Sequence, residues 1–249
     1  MDIELEPAPA PPPFPAVQAL DRVAAAFEVL LCSGFPTQIV VMAGLHGLGM
    51  RPQTADGGLN APFIFALTLL DTILVVSLVA LFFRSHRESM RLELFGHRAA
   101  GREILLGLTL IPASFVLVVI VLVVLQLVAP SLHNVLKNPL GDLAKTRVDA
   151  AVFAFVVMVA GGVREEIQRG FVLRRFEQYL GGGVVGLVIF SALFGLGHIE
   201  QGRDISVATA ALGAFWGAIY LARRSVLGPM IGHAGFNLAQ VAKFIWVGV

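Results

Sequence analysis

Charge is scarce in this chain of 249 residues: only 14% are Asp, Glu, Lys or Arg, and the net charge is +1. Soluble domains carry roughly 25% charged residues, so an ordinary soluble globular domain is excluded, as is a disordered chain. The near-balance of 18 basic and 17 acidic residues leaves no basic stripe of the kind a nucleic-acid binder needs. A single cysteine, Cys32, excludes both a disulfide scaffold and a cysteine-ligated metal site. No repeat of 20–50 residues is visible, which excludes a solenoid. The apolar runs do not alternate with polar residues as the strands of a membrane barrel do. What the chain does have is 57% hydrophobic residues and a mean hydropathy of +0.81. That composition predicts an all-α polytopic transmembrane helix bundle.

Residues 1–18 stand apart, with Asp2, Glu4 and Glu6 followed by six prolines between Pro7 and Pro15. Such a segment cannot pack a core and is expected to be a disordered or extended tail. It is neither basic nor apolar at its start, unlike a signal peptide. A spanning helix needs about 20 mostly apolar residues. Candidate spans are 23–48, 61–83, 103–129, 149–163 running on into a helix to 178, 181–198, 205–222 and 226–248, about seven in all. The loop 84–102 holds Arg84, Arg87, Arg91, Arg98 and Arg102. By the positive-inside rule it is cytoplasmic. Alternation then places the Arg174–Arg175 and Arg223–Arg224 pairs on the same side, and the loops 49–60 and 130–148 on the other.

Charges within a bilayer cost at least ~2.5–3.5 kcal/mol each by insertion scales, so each calls for a partner or a function. The last hundred residues concentrate them: Arg164, Glu165, Glu166 and Arg169, then His198, then His233 and Asn237. The first half offers Glu28, His46 and Asp71, with no motif around them, and these read as structural. Glu165 lies nine residues before Arg174, and His233 nine after Arg224. At ~1.5 Å per helical residue, both sit on the order of 13 Å from the basic edge. His198 follows Gly181 by 17 residues and ends the helix between them. Three segments are therefore expected to bring Glu, His and His into one buried layer. Glu165 and Arg169 are spaced i,i+4 and are expected to pair; His233 and Asn237 share one helical face.

Three signatures in this order, REEIQRGFVLRR (164–175), FGLGH (194–198) and HAGFN (233–237), resemble the CPBP family of intramembrane proteases. That family includes the CAAX-type prenyl-protein endopeptidases and the abortive-infection and bacteriocin-processing proteins. The resemblance covers about 149–245. It implies 19–148 as amino-terminal transmembrane helices and 149–249 as a catalytic transmembrane core. The family pattern puts three residues between the Glu pair and the Arg, whereas only Ile167 and Gln168 intervene here. Anchoring on Arg169 makes Glu165 the second family Glu, with Arg164 at the first position. Anchoring on the Glu pair puts Gly170 at the Arg position. Which carboxylate is the base stays open between Glu165 and Glu166, with Glu165 a family Glu in either register.

Peptide hydrolysis requires an activated water, a proton for the leaving amine and stabilisation of the oxyanion. Glu165 or Glu166 can deprotonate the water, His198 can orient it, and His233 with Asn237 can donate to the oxyanion. Arg169 can hold one carboxylate ionised. The same groups allow a zinc site, with His198, His233 and Glu165 as ligands and one position open; the sequence leaves the cofactor undecided between a divalent metal and none. The expected substrate is a peptide or protein carboxy-terminus presented from the lipid bilayer, lipid-modified or not. A rival of another class is a catalytically inactive membrane scaffold or immunity-type binding protein. A transporter would show inverted halves, and none is visible.

Overall fold

The computed structural model describes residues 18–135 and 138–247, with side chains through residue 242. The expectation of a disordered or extended tail falls on residues of which all but the last lie outside the described ones. Among the described residues ten α-helices follow one another: α1 (Ala19–Leu31), α2 (Phe35–Gly47), α3 (Ala61–Ser85), α4 (Met90–Phe95), α5 (Ala100–Val128), α6 (Arg147–Val157), α7 (Glu165–Tyr179), α8 (Gly183–Leu196), α9 (Arg203–Arg223) and α10 (Leu227–Val247). Between α6 and α7, residues Met158–Arg164 continue as a π-helix without a break in the chain direction. Among the described residues the only extended pairing is an isolated bridge between Gln53 and Leu59.

The punctuation of these helices is local. Gly34, with φ +88°, separates α1 from α2, which meet at a bend of 42°. A side chain other than glycine is strained at that φ, so the bend is built into the sequence. Pro36 and Pro62 sit in the first turns of α2 and α3, where the missing N–H is harmless. The Ser89 and Thr146 hydroxyls cap α4 and α6 by accepting from the Leu92 and Asp149 amides.

By length and composition, α3, α5 and α9 can each cross a membrane, and α1 with α2 forms a fourth span if the bent pair is counted as one. That is three to four spans. It does not confirm the seven candidates read from the sequence, because α8 has only 14 residues and α7 and α10 carry polar groups along their length. α5 is the helix most open to lipid: 11% of its apolar window is buried, and Leu105, Leu127 and Val128 are exposed. Its inner face packs closely on α10, where Ile231 presses against Gly107.

The basic loop 84–102, the end of α7 and the α9–α10 junction meet at one end of the bundle. Arg98 donates to the Arg223 carbonyl at 2.7 Å, Val226 N–H to the Leu94 carbonyl at 2.8 Å, and Arg174 pairs with Glu93 at 2.8 Å. Arg175 is fully buried there, bound to Glu28 at 2.7 Å and Glu88 at 2.6 Å, over the Phe171 ring. His86 reaches the same Glu28 at 2.6 Å. The loops 49–60 and 130–148 meet at another place, through Leu59 N–H and Asp142 at 3.4 Å. The three basic clusters thus share one end, as the loop charges predict.

Candidate active site

The π-helix sets the start of α7. A π turn shifts the register of the following helix and is found at functional sites. Here Gly161 and Gly162 face α10, so closely that a Cβ on Gly162 would stand 2.5 Å from the Ala234 Cβ. The absence of side chains lets α10 lie against the turn immediately before the Glu pair. This brings His233 of α10 next to Glu165 and Glu166, and Asn237 against Gly161.

The two carboxylates point to different surroundings, as adjacent helical residues must. Glu166 is wholly buried. It accepts hydrogen bonds from the Arg169 guanidinium and from His233 Nδ1, the latter at 2.8 Å. Glu165 keeps 19% of its side-chain surface accessible and lines a cavity of about 350 Å³. His233 Nε2 faces it at 3.8 Å. The expected i,i+4 pair between Glu165 and Arg169 is not made: Arg169 turns to Glu166, at i+3.

His198 lines the same cavity as Glu165, together with Phe194 and Phe190 of α8. Its Nδ1 lies 2.8 Å from the Phe194 carbonyl one turn back, which leaves Nε2 as the free ring nitrogen. Asn237 lies against Gly161, and a Cβ built there would collide with its amide nitrogen and come within 3.6 Å of His233 Nε2. All six residues expected from the sequence, Glu165, Glu166, Arg169, His198, His233 and Asn237, therefore fall in one region of the bundle. The ligand trio is a different matter. Among the described residues no group of three or more His, Cys, Asp or Glu side chains could hold a metal ion, so His198, His233 and Glu165 do not fit a zinc site.

Residues outside the motifs complete the surroundings. Trp216 of α9 stacks on the His233 ring, centroids 3.9 Å apart and planes at 20°. The Arg169 guanidinium lies over Phe194 at 4.9 Å and Trp216 at 5.6 Å, cation–π contacts that help offset its desolvation. Arg164, buried at the end of the π-helix, forms an ion pair with fully buried Asp71 of α3. The signal for Asp71 was present in the sequence as an acidic residue midway along an apolar span; its partner was not.

Residues 147–239 match the family described as type II CAAX prenyl endopeptidase Rce1-like. This segment is similar to an Rce1-like domain. The assignment agrees with the resemblance to the CPBP intramembrane proteases. No curated protein and no solved structure gives a match to the chain. The Rce1-like segment supplies α6 through α9 and the site-bearing part of α10, while α1, α2 and α3 supply another wall of the cavity through Val29, Gln38, Thr68 and Asp71.

Proposed function

We propose that this chain is an intramembrane endopeptidase that cleaves membrane-presented, CAAX-like carboxy-termini at the cytoplasmic side, by metal-free glutamate chemistry. One observation carries the reading: Glu165 opens onto the cavity that His198 also lines, while Glu166 is enclosed and occupied with Arg169 and His233.

In this scheme Glu165 takes a proton from a water held between it and His198. The hydroxide adds to the scissile carbonyl, and the resulting oxyanion accepts hydrogen bonds from the Asn237 amide and His233 Nε2. In this scheme His233 carries hydrogens on both ring nitrogens, Nδ1–H donating to Glu166 and Nε2–H to the oxyanion. Glu165 then returns its proton to the leaving amine, and the C–N bond breaks. One water is consumed and one carboxylate and one amine are released. The apolar wall of Val172, Phe176, Ile189, Phe190, Leu193 and Phe194 suits an apolar side chain or a lipid modification beside the scissile bond.

The test is cleavage of farnesylated and unmodified CAAX peptides by purified protein, wild type beside Glu165→Gln. Turnover by wild type with none by the variant supports the reading. A folded wild type inactive on both peptides overturns it in favour of a membrane scaffold.

A further inference from the structure

We infer that Asp71, on α3 and outside the Rce1-like segment, is a positioning residue that holds Arg164 away from Glu165 and so keeps that carboxylate open to the cavity. The inference rests on Glu165 being the group that works there. Arg164 immediately precedes Glu165, and its Nη1 lies 3.7 Å from the Glu165 carboxylate, outside hydrogen-bond distance. A buried guanidinium that close would ordinarily close onto the carboxylate in a charge-assisted, bidentate pair. Two other residues prevent it. Nη2 is bound to Asp71, which also accepts from the Thr37 hydroxyl. Nη1 donates to the Gln168 side-chain carbonyl at 3.2 Å, and the Gln168 amide is itself anchored on the Cys32 carbonyl at 2.6 Å.

The clamp therefore ties α1, α2 and α3 to the first turn of α7. Asp71 is wholly buried and Arg164 and Gln168 nearly so, while all three border the cavity. Arg164 Nε is buried without a partner, so the guanidinium is not saturated where it stands. Freed from Asp71, it has one carboxylate within reach, and that is Glu165. Ion pairing there would occupy the lone pairs that a water needs.

The experiment compares wild type, Asp71→Asn, Gln168→Leu and the double variant Asp71→Asn with Arg164→Gln, each quantified as folded protein. For Asp71→Asn, kcat on a farnesylated CAAX peptide should fall about 10–100-fold with KM little changed, less than the ~10²–10⁴-fold typical of losing a general base. The double variant, with no unpaired guanidinium, should recover most of that loss, a non-additivity that only coupled residues show. Gln168→Leu frees the nitrogen nearest Glu165 without leaving a buried charge unpaired. It should lose kcat severalfold, and it carries the test if Asp71→Asn does not fold. Dicyclohexylcarbodiimide labelling of Glu165, read by mass spectrometry, gives a second readout that needs no turnover. Labelling should drop in Asp71→Asn and in Gln168→Leu, and return in the double variant. Unchanged kcat in folded Asp71→Asn and Gln168→Leu overturns the inference, as does wild-type labelling no higher than theirs. If the wild type is inactive on every peptide, the protease reading fails and the labelling alone decides the role of Asp71.

Discussion

His233 reaches Glu166 through Nδ1 at 2.8 Å, across 67 residues of chain. The bond turns the other ring nitrogen, Nε2, toward Glu165 at 3.8 Å, so the two adjacent carboxylates meet opposite edges of one imidazole. Glu166 is occupied by the histidine, and Glu165 is left accessible at the cavity, where the proposed scheme puts the water. The separation leads to the first prediction. Glu165→Gln should abolish cleavage with little change in melting temperature, because Gln is similar in size and forms helix well. Glu166→Gln should lower both activity and melting temperature, because Arg169 is then buried without its counter-ion, a lesion worth about 3–5 kcal/mol. Parallel measurement of kcat and thermal unfolding in detergent checks the pair. Full activity in Glu165→Gln with none in Glu166→Gln would reverse the assignment.

Stability should depend on acid through Glu88, in the loop between α3 and α4. Partial burial pushes this carboxyl up, but hydrogen bonds from Gln178 and Arg175 and the charges of Arg175 and Arg174 outweigh it, and it sits below its ordinary value. A folded-state value below the unfolded one means stability is present above about pH 4.3, the unperturbed value for Glu. It is lost as pH falls through the lower, folded value. Melting temperature measured from pH 7 downward should therefore fall in the acid range, and Glu88→Gln should fall less steeply while starting lower. Parallel curves for the two proteins would contradict this.

Trp216 is 1% exposed and covers one face of the His233 ring. Replacing it with leucine removes the stacking surface on His233 and the cation–π contact to Arg169 at once. The expected cost is about 2–5 kcal/mol in stability, as for large buried side chains, together with a lower kcat per folded molecule. Trp216→Phe keeps an aromatic face and should retain more of both. Equal kcat in the folded fractions of Trp216→Leu and wild type would show that the ring needs no such support.

The sequence displayed the motif residues because charges in an apolar context are costly, and three such groups in consecutive apolar segments stand out. The shared end of Arg98, Arg174 and Arg223 followed from a different signal, the bias of Lys and Arg to one side of the membrane and the alternation of spans. It did not display the Arg169 partner. The i,i+4 rule favours Glu165, but the π-helix ahead of α7 and the approach of His233 draw Glu166 and Arg169 together instead. π turns have no strong residue signature, and Gly161 and Gly162 read equally well as a loose stretch of helix. Nor could spacing show that Asp71 meets Arg164, since the pair joins helices 93 residues apart in sequence. The seven candidate spans are not confirmed by the three to four helices that are long and apolar enough, because apolar composition does not reveal that α8 is only 14 residues long or that α7 and α10 carry polar groups along their length.

The last prediction concerns the two glycines of the π-helix, whose neighbours on α10 differ in kind. A Cβ on Gly161 would collide with the amide end of Asn237, a side-chain tip that can rotate away. A Cβ on Gly162 would meet the Ala234 Cβ at 2.5 Å and its Cα at 3.0 Å, atoms that move only if α10 moves. Gly161→Ala should therefore leave the melting temperature nearly unchanged while displacing Asn237 from the oxyanion position. Removing one such donor costs about 10²–10³-fold in kcat, so Gly161→Ala should match Asn237→Ala, and combining the two should add little. Gly162→Ala should instead cost about 1–3 kcal/mol of stability through overpacking. Thermal unfolding and kcat for both variants separate the cases. A Gly161→Ala protein with wild-type kcat would remove Asn237 from the mechanism, because its amide cannot stay in place beside that methyl group.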